Sequence, residues 1–553
     1  MTDEILQIRD IAPPGAAAPG VLERVDERPA PPGPVRRRGR GHEWLTLAAV
    51  AFGLMMVGLD SLVVSVANPK IGTQFHASLS GLQWVTNAYM LTFAVLLVTG
   101  GKLGDRFGRK RVFLVGTAGF VVASMLCGVS QSMGMLIAMR AVQGLFGALM
   151  MPQTLAILRA TFPIDRMAQA VGIWAGASSV AIASGPIVGG LLVEHLSWRW
   201  IFFVNLPVGL ISLVVGAWFV AESRDSRPPT GFDLPGLGLL SAGLLGVVWG
   251  LIQTDTHGWT SASSLTWIVV GLALLGAFVW RESSVGQRAL LPTDLFRHRP
   301  LLVGFVVTLC LALAMFGMIF FLSLYLQRVQ GDSPVGAGVR MLALTAVLAF
   351  SAPLGGFLVG RFGPRWPLAA GFALVAAALF GLATLGPSSP YSDIWPWFVL
   401  IGLAMGAVQT ASSQAIVGGA PRDLAGVAAG LQGIGFQVGG LLGTTVLGTV
   451  VANTVTSVFR SHLVEAHVPA ALATHLAPLA PAVSQGVLPI PPGAPSGLVA
   501  AVVHAGATSF TTGLDVAMAV GAGVAVFAAV ISAVFMPNLD MDPQAMLEAL
   551  GGG

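Results

Sequence analysis

GGKLGDRFGRKRV, residues Gly100–Val112, sets five cations, one carboxylate and four glycines between two apolar stretches. The rest of the chain is poor in charge: of 553 residues, 55% are hydrophobic and 10% charged, and the mean hydropathy is +0.80. An average soluble domain carries roughly 25% charged residues, so this composition excludes one. Apolar runs of about 20 residues recur from Trp44 nearly to the C-terminus. A bilayer core about 30 Å thick requires that length, because a helix in lipid must satisfy its own backbone. The quoted stretch reads as a polar turn between two membrane helices, and the fold follows from counting such turns.

Hydropathy punctuated by Gly, Pro and charge predicts fourteen helices. They start near Trp44, Leu82, Val112, Met135, Ala168, Trp200, Leu234, Leu265, Leu301, Val335, Leu368, Ile394, Ala425 and Thr512. An even count returns both termini to one side. That side collects the Lys102–Arg111 cluster, Arg159, Arg166, Arg224, Arg281, Arg299, Arg361 and Arg365, while Lys70, Arg199, Arg328 and Arg460 fall opposite. Positive charge stays cytoplasmic, so both termini are expected in the cytoplasm.

A second copy of the opening stretch, GGFLVGRFGPRWP at Gly355–Pro367, follows the tenth span. Gly356, Leu358, Arg361, Phe362, Gly363 and Arg365 match Gly101, Leu103, Arg106, Phe107, Gly108 and Lys110. Two homologous halves are implied, as in secondary carriers whose halves rock about a midplane site. The expected organisation is a disordered cytoplasmic tail over 1–43, a six-helix bundle over 44–221, and a linker with spans seven and eight over 222–299. A second bundle over 300–536 follows, including a long external loop at 453–510, and a cytoplasmic tail closes the chain at 537–553.

These residues resemble the Major Facilitator Superfamily, and within it the fourteen-span drug:proton antiporters of the QacA and EmrB type. Five segments carry the likeness. Gly101–Lys110 matches the pattern G-x-L-x-D-R-x-G-R-K. LIAMRAVQGLFGA, Leu136–Ala148, matches the segment with an intramembrane arginine, Arg140. GPIVGG, Gly185–Gly190, is similar to the antiporter motif, although Ala181 stands where glycine is usual. LDSLVVSVANP, Leu59–Pro69, and WRWIFFVNLPVG, Trp198–Gly209, are similar to signatures of the fourteen-span group. The resemblance implies an all-α integral membrane protein of two six-helix bundles plus two inserted helices. It also implies a cytoplasmic latch at Gly101, Gly104, Asp105, Arg106, Gly108 and Arg109, and a bendable, closely packed helix at Gly185, Pro186, Gly189 and Gly190.

Charge deep in lipid costs several kcal/mol, so Asp60 and Arg140 must face the protein interior and pair. The depths counted from the span limits agree, with Asp60 in the outer half of span one. Burial favours the neutral carboxyl group and a neighbouring guanidinium favours the carboxylate, so the protonation of Asp60 follows small changes around it. Asp105 is expected to pair with Arg109 at i,i+4 and to accept bonds from the first amides of span three. Gln83, Asn87, Tyr89, Gln143, Gln409 and Gln432 are polar candidates for a substrate cavity, with Trp174, Phe316, Phe320 and Phe436 as its apolar wall.

The expected activity is export of an amphipathic small molecule, neutral or monocationic, in exchange for protons across a bacterial cell membrane. A dedicated exporter of one endogenous metabolite or lipid is the alternative, and a non-transporting sensor a third reading. No phosphate-cradling G-x-x-x-x-G-K-[ST] occurs, which argues against nucleotide hydrolysis. No enzyme activity, cofactor, metal or nucleic acid is expected, and the chain should act as a monomer. Cys127 and Cys310 lie inside apolar runs as core residues.

Overall fold

The computed structural model of the protein describes residues 41–224, 233–258, 260–286, 289, 298–419, 425–485 and 495–537. Of the tails expected at 1–43 and 537–553, residues 1–40 and 538–553 lie outside the described residues, and residues 41–43 begin the first helix. Among the described residues fourteen helices are long and apolar enough to cross a membrane. They are α1 Gly41–Phe75, α2 Leu79–Phe107, α3 Arg109–Gly128, α4 Met133–Thr161, α5 Ile164–His195, α6 Trp200–Phe219 and α7 Leu234–His257. The remainder are α8 Ala262–Val285, α9 Arg299–Leu324, α10 Pro334–Phe362, α11 Arg365–Leu382, α12 Tyr391–Gly418, α13 Ala425–Glu465 and α14 Ser496–Phe535. Helices α1–α6 and α9–α14 form two six-helix bundles, with α7 and α8 inserted between them.

Short polar turns set the alternation. Ser78, Ser132 and Ser333 cap α2, α4 and α10, each side chain accepting from the backbone N–H three residues on at 3.1–3.2 Å. All three caps lie at the arginine-poor end. At the arginine-rich end the repeated stretches fold alike. Gly108 and Gly363 hold φ of +111° and +68°, a region open to glycine, and so turn the chain from α2 into α3 and from α10 into α11. Arg106 lies over the Phe107 ring at 5.5 Å, and Arg361 over Phe362 at 5.6 Å. Gly100 packs on the Ala148 carbonyl of α4, while a methyl at Gly355 would stand 2.7 Å from Ala407 Cα of α12. The repeat is therefore structural, and it pairs the second helix of each bundle with the fourth.

The inserted hairpin leans on both bundles. Trp249 of α7 meets Trp84 of α2 with ring centroids 5.9 Å apart, and Thr449 Oγ1 of α13 donates to the Leu251 carbonyl at 3.1 Å. At the other end Lys102 Nζ donates to the Ala289 carbonyl at 2.7 Å. Asp233, before α7, accepts two bonds from Arg281 Nε and Nη2 at 2.9 and 2.7 Å. Burial opposes ionisation of Asp233, but its bonds to Arg281 outweigh that and hold its carboxyl below the usual carboxylate range. This clamp is complete above that range and is lost as pH falls through the depressed value.

Two boundaries differ from expectation. Helix α1 continues through Pro69 to Phe75, which puts Asp60 near its middle rather than in its outer half. The predicted external loop at 453–510 is mostly helix: α13 extends to Glu465 and α14 begins at Ser496, with short helices Ala470–Leu476 and Ala480–Val483 between them. At 1.5 Å per residue, helices of 41 and 40 residues run about 60 Å, twice the hydrocarbon thickness. Falling hydropathy marks where a chain leaves lipid, not where an alanine-rich helix stops. His462 Nδ1 and Ser509 Oγ, 2.9 Å apart, tie the two extensions together. Asp515 lies midway along α14.

Candidate functional site: a buried ion pair beside the bundle interface

Asp60 and Arg140 are 0% and 1% exposed. Arg140 Nη1 lies 2.5 Å from Asp60 Oδ2. Gln143, one turn along α4, accepts from Arg140 Nη1 at 2.8 Å and donates to Asp60 Oδ1 at 3.0 Å. Arg140 Nε donates to the Val85 carbonyl of α2 at 3.0 Å, and its guanidinium lies 4.3 Å from the centroid of the Tyr89 ring. Phe202 of α6 stands further off, at 5.8 Å. Gly144 makes the approach possible. It packs against the Tyr89 carbonyl and Thr92, and Thr92 Oγ1 donates back to the Ala141 carbonyl at 2.8 Å. Any side chain at Gly144 would push α4 from α2 and Arg140 from its partners.

Helix α2 has two working faces. Val85, Tyr89 and Thr92, at i, i+4 and i+7, look toward α4, whereas Gln83, Asn87 and Met90 repeat the same spacing toward α13. Gln83 Nε2 donates to the Thr444 carbonyl at 3.2 Å. Asn87 donates to Thr445 Oγ1 at 2.8 Å and accepts from Thr444 Oγ1 at 2.5 Å. Both residues were expected to line a substrate cavity; the structure places them in bonds across the bundle interface. Tyr89 and Gln143, from the same expectation, belong to the charged cluster.

The other cavity candidates are dispersed. Phe316 and Phe436 meet edge to face at 5.4 Å between α9 and α13, and Phe316 and Met90 of α2 both face Gly440 of α13. Phe320 packs on Phe321 at 4.9 Å. Trp174 Nε1 donates to Thr154 Oγ1 at 3.2 Å, joining α5 to α4, and Gln432 accepts from Ser413 Oγ at 3.1 Å, joining α13 to α12. Gln409 is half-buried on α12.

The Gly185–Gly190 segment sits between bundles. Gly185 faces Leu59 and Leu62 of α1, and a methyl at Gly189 would stand 2.8 Å from Val63 Cγ2. Gly190 abuts Pro334 and Val335 of α10, and Gly338 of α10 abuts the Pro186 carbonyl. Ala181 in place of glycine is accommodated from the other side, because its methyl faces Gly58 of α1.

Further bonds close the arginine-poor end. Pro69 has no N–H, so the Ser65 carbonyl four residues earlier loses its helical donor. Ser323 Oγ of α9 supplies one at 2.9 Å. A π-helical turn, Tyr325–Val329, then brings Gln327 to the Val66 carbonyl at 3.1 Å and Arg328 to the Pro69 carbonyl and, at 2.6 Å, Thr73 Oγ1. Glu194 at the end of α5 accepts from the Val335 N–H of α10 at 2.9 Å. Arg340, absent from the predicted charge map, lies at this end and pairs with Asp332 at 2.8 Å.

At the arginine-rich end Asp105 pairs with Arg109 at 2.9 Å. It does not cap α3. Glu222, beyond α6, takes that place by accepting from the Lys110 N–H at 3.1 Å, while the Ser223 carbonyl accepts from the Arg109 N–H at 2.9 Å. The physical reason is direction: Asp105 is still on α2, and its carboxylate is occupied by the Arg109 side chain. The crowded glycines are Gly104, against Gln153, Gly108, against Glu222, and Gly100, whereas Gly101 has ordinary contact at 3.7 Å with Pro152. Glu222→Gln should weaken the N-terminal cap by about 0.3–1 kcal/mol. Amides 109–111 should then exchange with deuterium a few-fold faster, while α3 beyond them is unchanged.

Among the described residues, fourteen membrane-length helices in two repeated bundles, with an ion pair sealed inside one of them, define a class: a multi-pass membrane carrier. The sequence profile of the Major Facilitator Superfamily matches residues 50–444. The chain belongs to that superfamily and has the span number of its QacA/EmrB-type drug:proton antiporters; it is a transporter and not an enzyme. It is 43% identical to the tetracenomycin C resistance and export protein of Streptomyces glaucescens over 92% of this chain and 94% of that one. It is 34% identical to the multidrug efflux pump LfrA of Mycolicibacterium smegmatis, over 76% and 82% of the two chains. Among solved structures, a bacterial homologue of the human lysosomal transporter Spinster, inward-facing and unoccupied, aligns with a TM-score of 0.61 at 19% identity. That alignment covers 90% of this chain and 98% of the other, and is a likeness of fold.

Proposed function

We propose that the protein exports amphipathic small molecules, neutral or monocationic antibiotics among them, from a bacterial cell in exchange for protons. Asp60 carries the proton. The arginine-rich end faces the cytoplasm, as positive charge does, and both termini lie there. One observation bears most of this reading: α2 holds Arg140 with one face and the opposite bundle with the other. A change in the Asp60–Arg140 pair is thereby transmitted to the interface that must part during alternating access. Met90, Phe316 and Phe436 supply an apolar, adaptable contact for substrate at that interface. Similarity to a tetracenomycin C export protein and to a multidrug efflux pump supports the substrate class.

A dedicated exporter of one endogenous metabolite or lipid is favoured as a second reading by the relative of 43% identity, a resistance and export protein for the single compound tetracenomycin C. Proteoliposomes with an imposed pH gradient and a panel of dyes, antibiotics and lipids test both readings. Gradient-driven flux of several panel members supports polyspecific export, and of one alone the dedicated form. Flux indifferent to collapse of the gradient would overturn proton exchange.

A further inference from the structure

We propose that Tyr89 is a positioning residue of the coupling site: its ring holds the Arg140 guanidinium in place while Asp60 is neutral. Proton uptake then frees the carboxyl group without expelling the cation. The inference rests on Asp60 being the proton carrier, and it adds the group that makes that role sustainable.

The difficulty it answers is physical. A buried ion pair tolerates neutralisation of one member only if the other stays compensated, since an unpaired buried charge is strongly destabilising. Arg140 is 1% exposed, so water does not supply that compensation. Four groups besides Asp60 meet it: the Val85 carbonyl, Gln143 Oε1, the Tyr89 ring at 4.3 Å and the Phe202 ring at 5.8 Å. Gln143 is tied to Asp60 through its own amide and loses an acceptor if the carboxyl group moves away. Phe202 sits at the outer edge of the range over which a ring attracts a cation. Tyr89 and Val85 are independent of Asp60. They lie one turn apart on α2, so a single helix presents a carbonyl to the edge of the guanidinium and a ring to its face.

The ring, and not the hydroxyl group, is what acts. The Tyr89 hydroxyl is buried and has no hydrogen-bond partner among the described residues. The titratable groups around the site are Asp60 on α1, Tyr89 on α2, Cys127 on α3 and Arg140 on α4. The Cys127 sulfur stands 3.7 Å from Gln143 Oε1, and α6 contributes the uncharged Phe202.

A double-mutant cycle on the purified full-length protein tests the proposal. Melting temperature is measured for wild type, Tyr89→Leu, Asp60→Asn and the combination, with Tyr89→Phe in both backgrounds. Tyr89→Leu should lower the melting temperature about twice as much in the Asp60→Asn background as in wild type, and Tyr89→Phe should lower it in neither. Failure of the Leu double variant to fold, while both single variants and Tyr89→Phe/Asp60→Asn fold, is the same coupling in extreme form. Equal drops in the two backgrounds would overturn the proposal, as would a Tyr89→Phe variant as damaged as Tyr89→Leu. The cycle reads stability and not transport. Proton release persisting in Asp60→Asn would sink the carrier role of Asp60 whichever way the cycle falls.

Discussion

Asp60→Asn protein is expected to fold, to bind substrate and to release no protons on binding it. Asparagine keeps the shape and a carbonyl oxygen for Arg140 Nη1, so the site loses its titration and little of its packing. Each net charge crossing a 100 mV potential supplies roughly 2.3 kcal/mol, enough to sustain an approximately 50-fold substrate gradient. In proteoliposomes that gradient should vanish in the variant while substrate equilibrates passively. Arg140→Leu should behave differently, because it leaves Asp60 buried with no cation beside it. Loss of one partner from a buried pair costs about 3–5 kcal/mol, so this variant should melt early or fail to accumulate. Proton release from Asp60→Asn equal to wild type would exclude that carboxyl group as the carrier.

The second large effect is expected where α5 meets α10. A methyl at Gly190 would stand 2.9 Å from Val335 Cα and against the Pro334 carbonyl, both on the partner bundle. Gly190→Leu therefore cannot be absorbed by a side-chain shift. Overpacking of this kind costs about 1–3 kcal/mol, and here it falls on one arrangement of the bundles only. Closure of the arginine-poor end should lose roughly tenfold in population, since each 1.4 kcal/mol is a factor of ten. Cysteines at positions 194 and 335, whose native side chain and amide are 2.9 Å apart, report closure by crosslinking yield. Gly176→Leu is the matched control, because a side chain there meets open space on the same helix. Equal crosslinking in Gly190→Leu and Gly176→Leu would mean that the contact does not govern closure.

The fold was legible where chemistry is incompatible with lipid. The Gly100–Val112 stretch and its copy at Gly355–Pro367 announce themselves by charge, and the two glycines at positive φ fall at equivalent places in them. Asp60 and Arg140 were legible as partners for the same reason: two opposite charges inside apolar helices have few other places to go. Residues whose role is set by a backbone atom left no such trace. Glu222 looks like any polar loop residue until α3 points its first amides at it. Gln83 and Asn87 read as cavity residues until the rotation of α2 turns them onto α13. The Ser323 bond to the Ser65 carbonyl has one sequence signal, Pro69, and that signal names the acceptor without the donor. The span limits of α13 and α14 failed because hydropathy tracks solvent and not backbone conformation.

The proline inside α1, Pro69, bears on how reversible the seal can be. One of its acceptors, the Ser65 carbonyl, is one that α1 has no use for, so Ser323 takes nothing from the helix when it docks and returns nothing when it leaves. Separation of the bundles thus asks no residue of α1 to unwind, and water flooding the vestibule can take over the vacated lone pairs. Such a seam behaves like a zip made of spare parts: it can be undone on every turnover while the rods on either side stay whole.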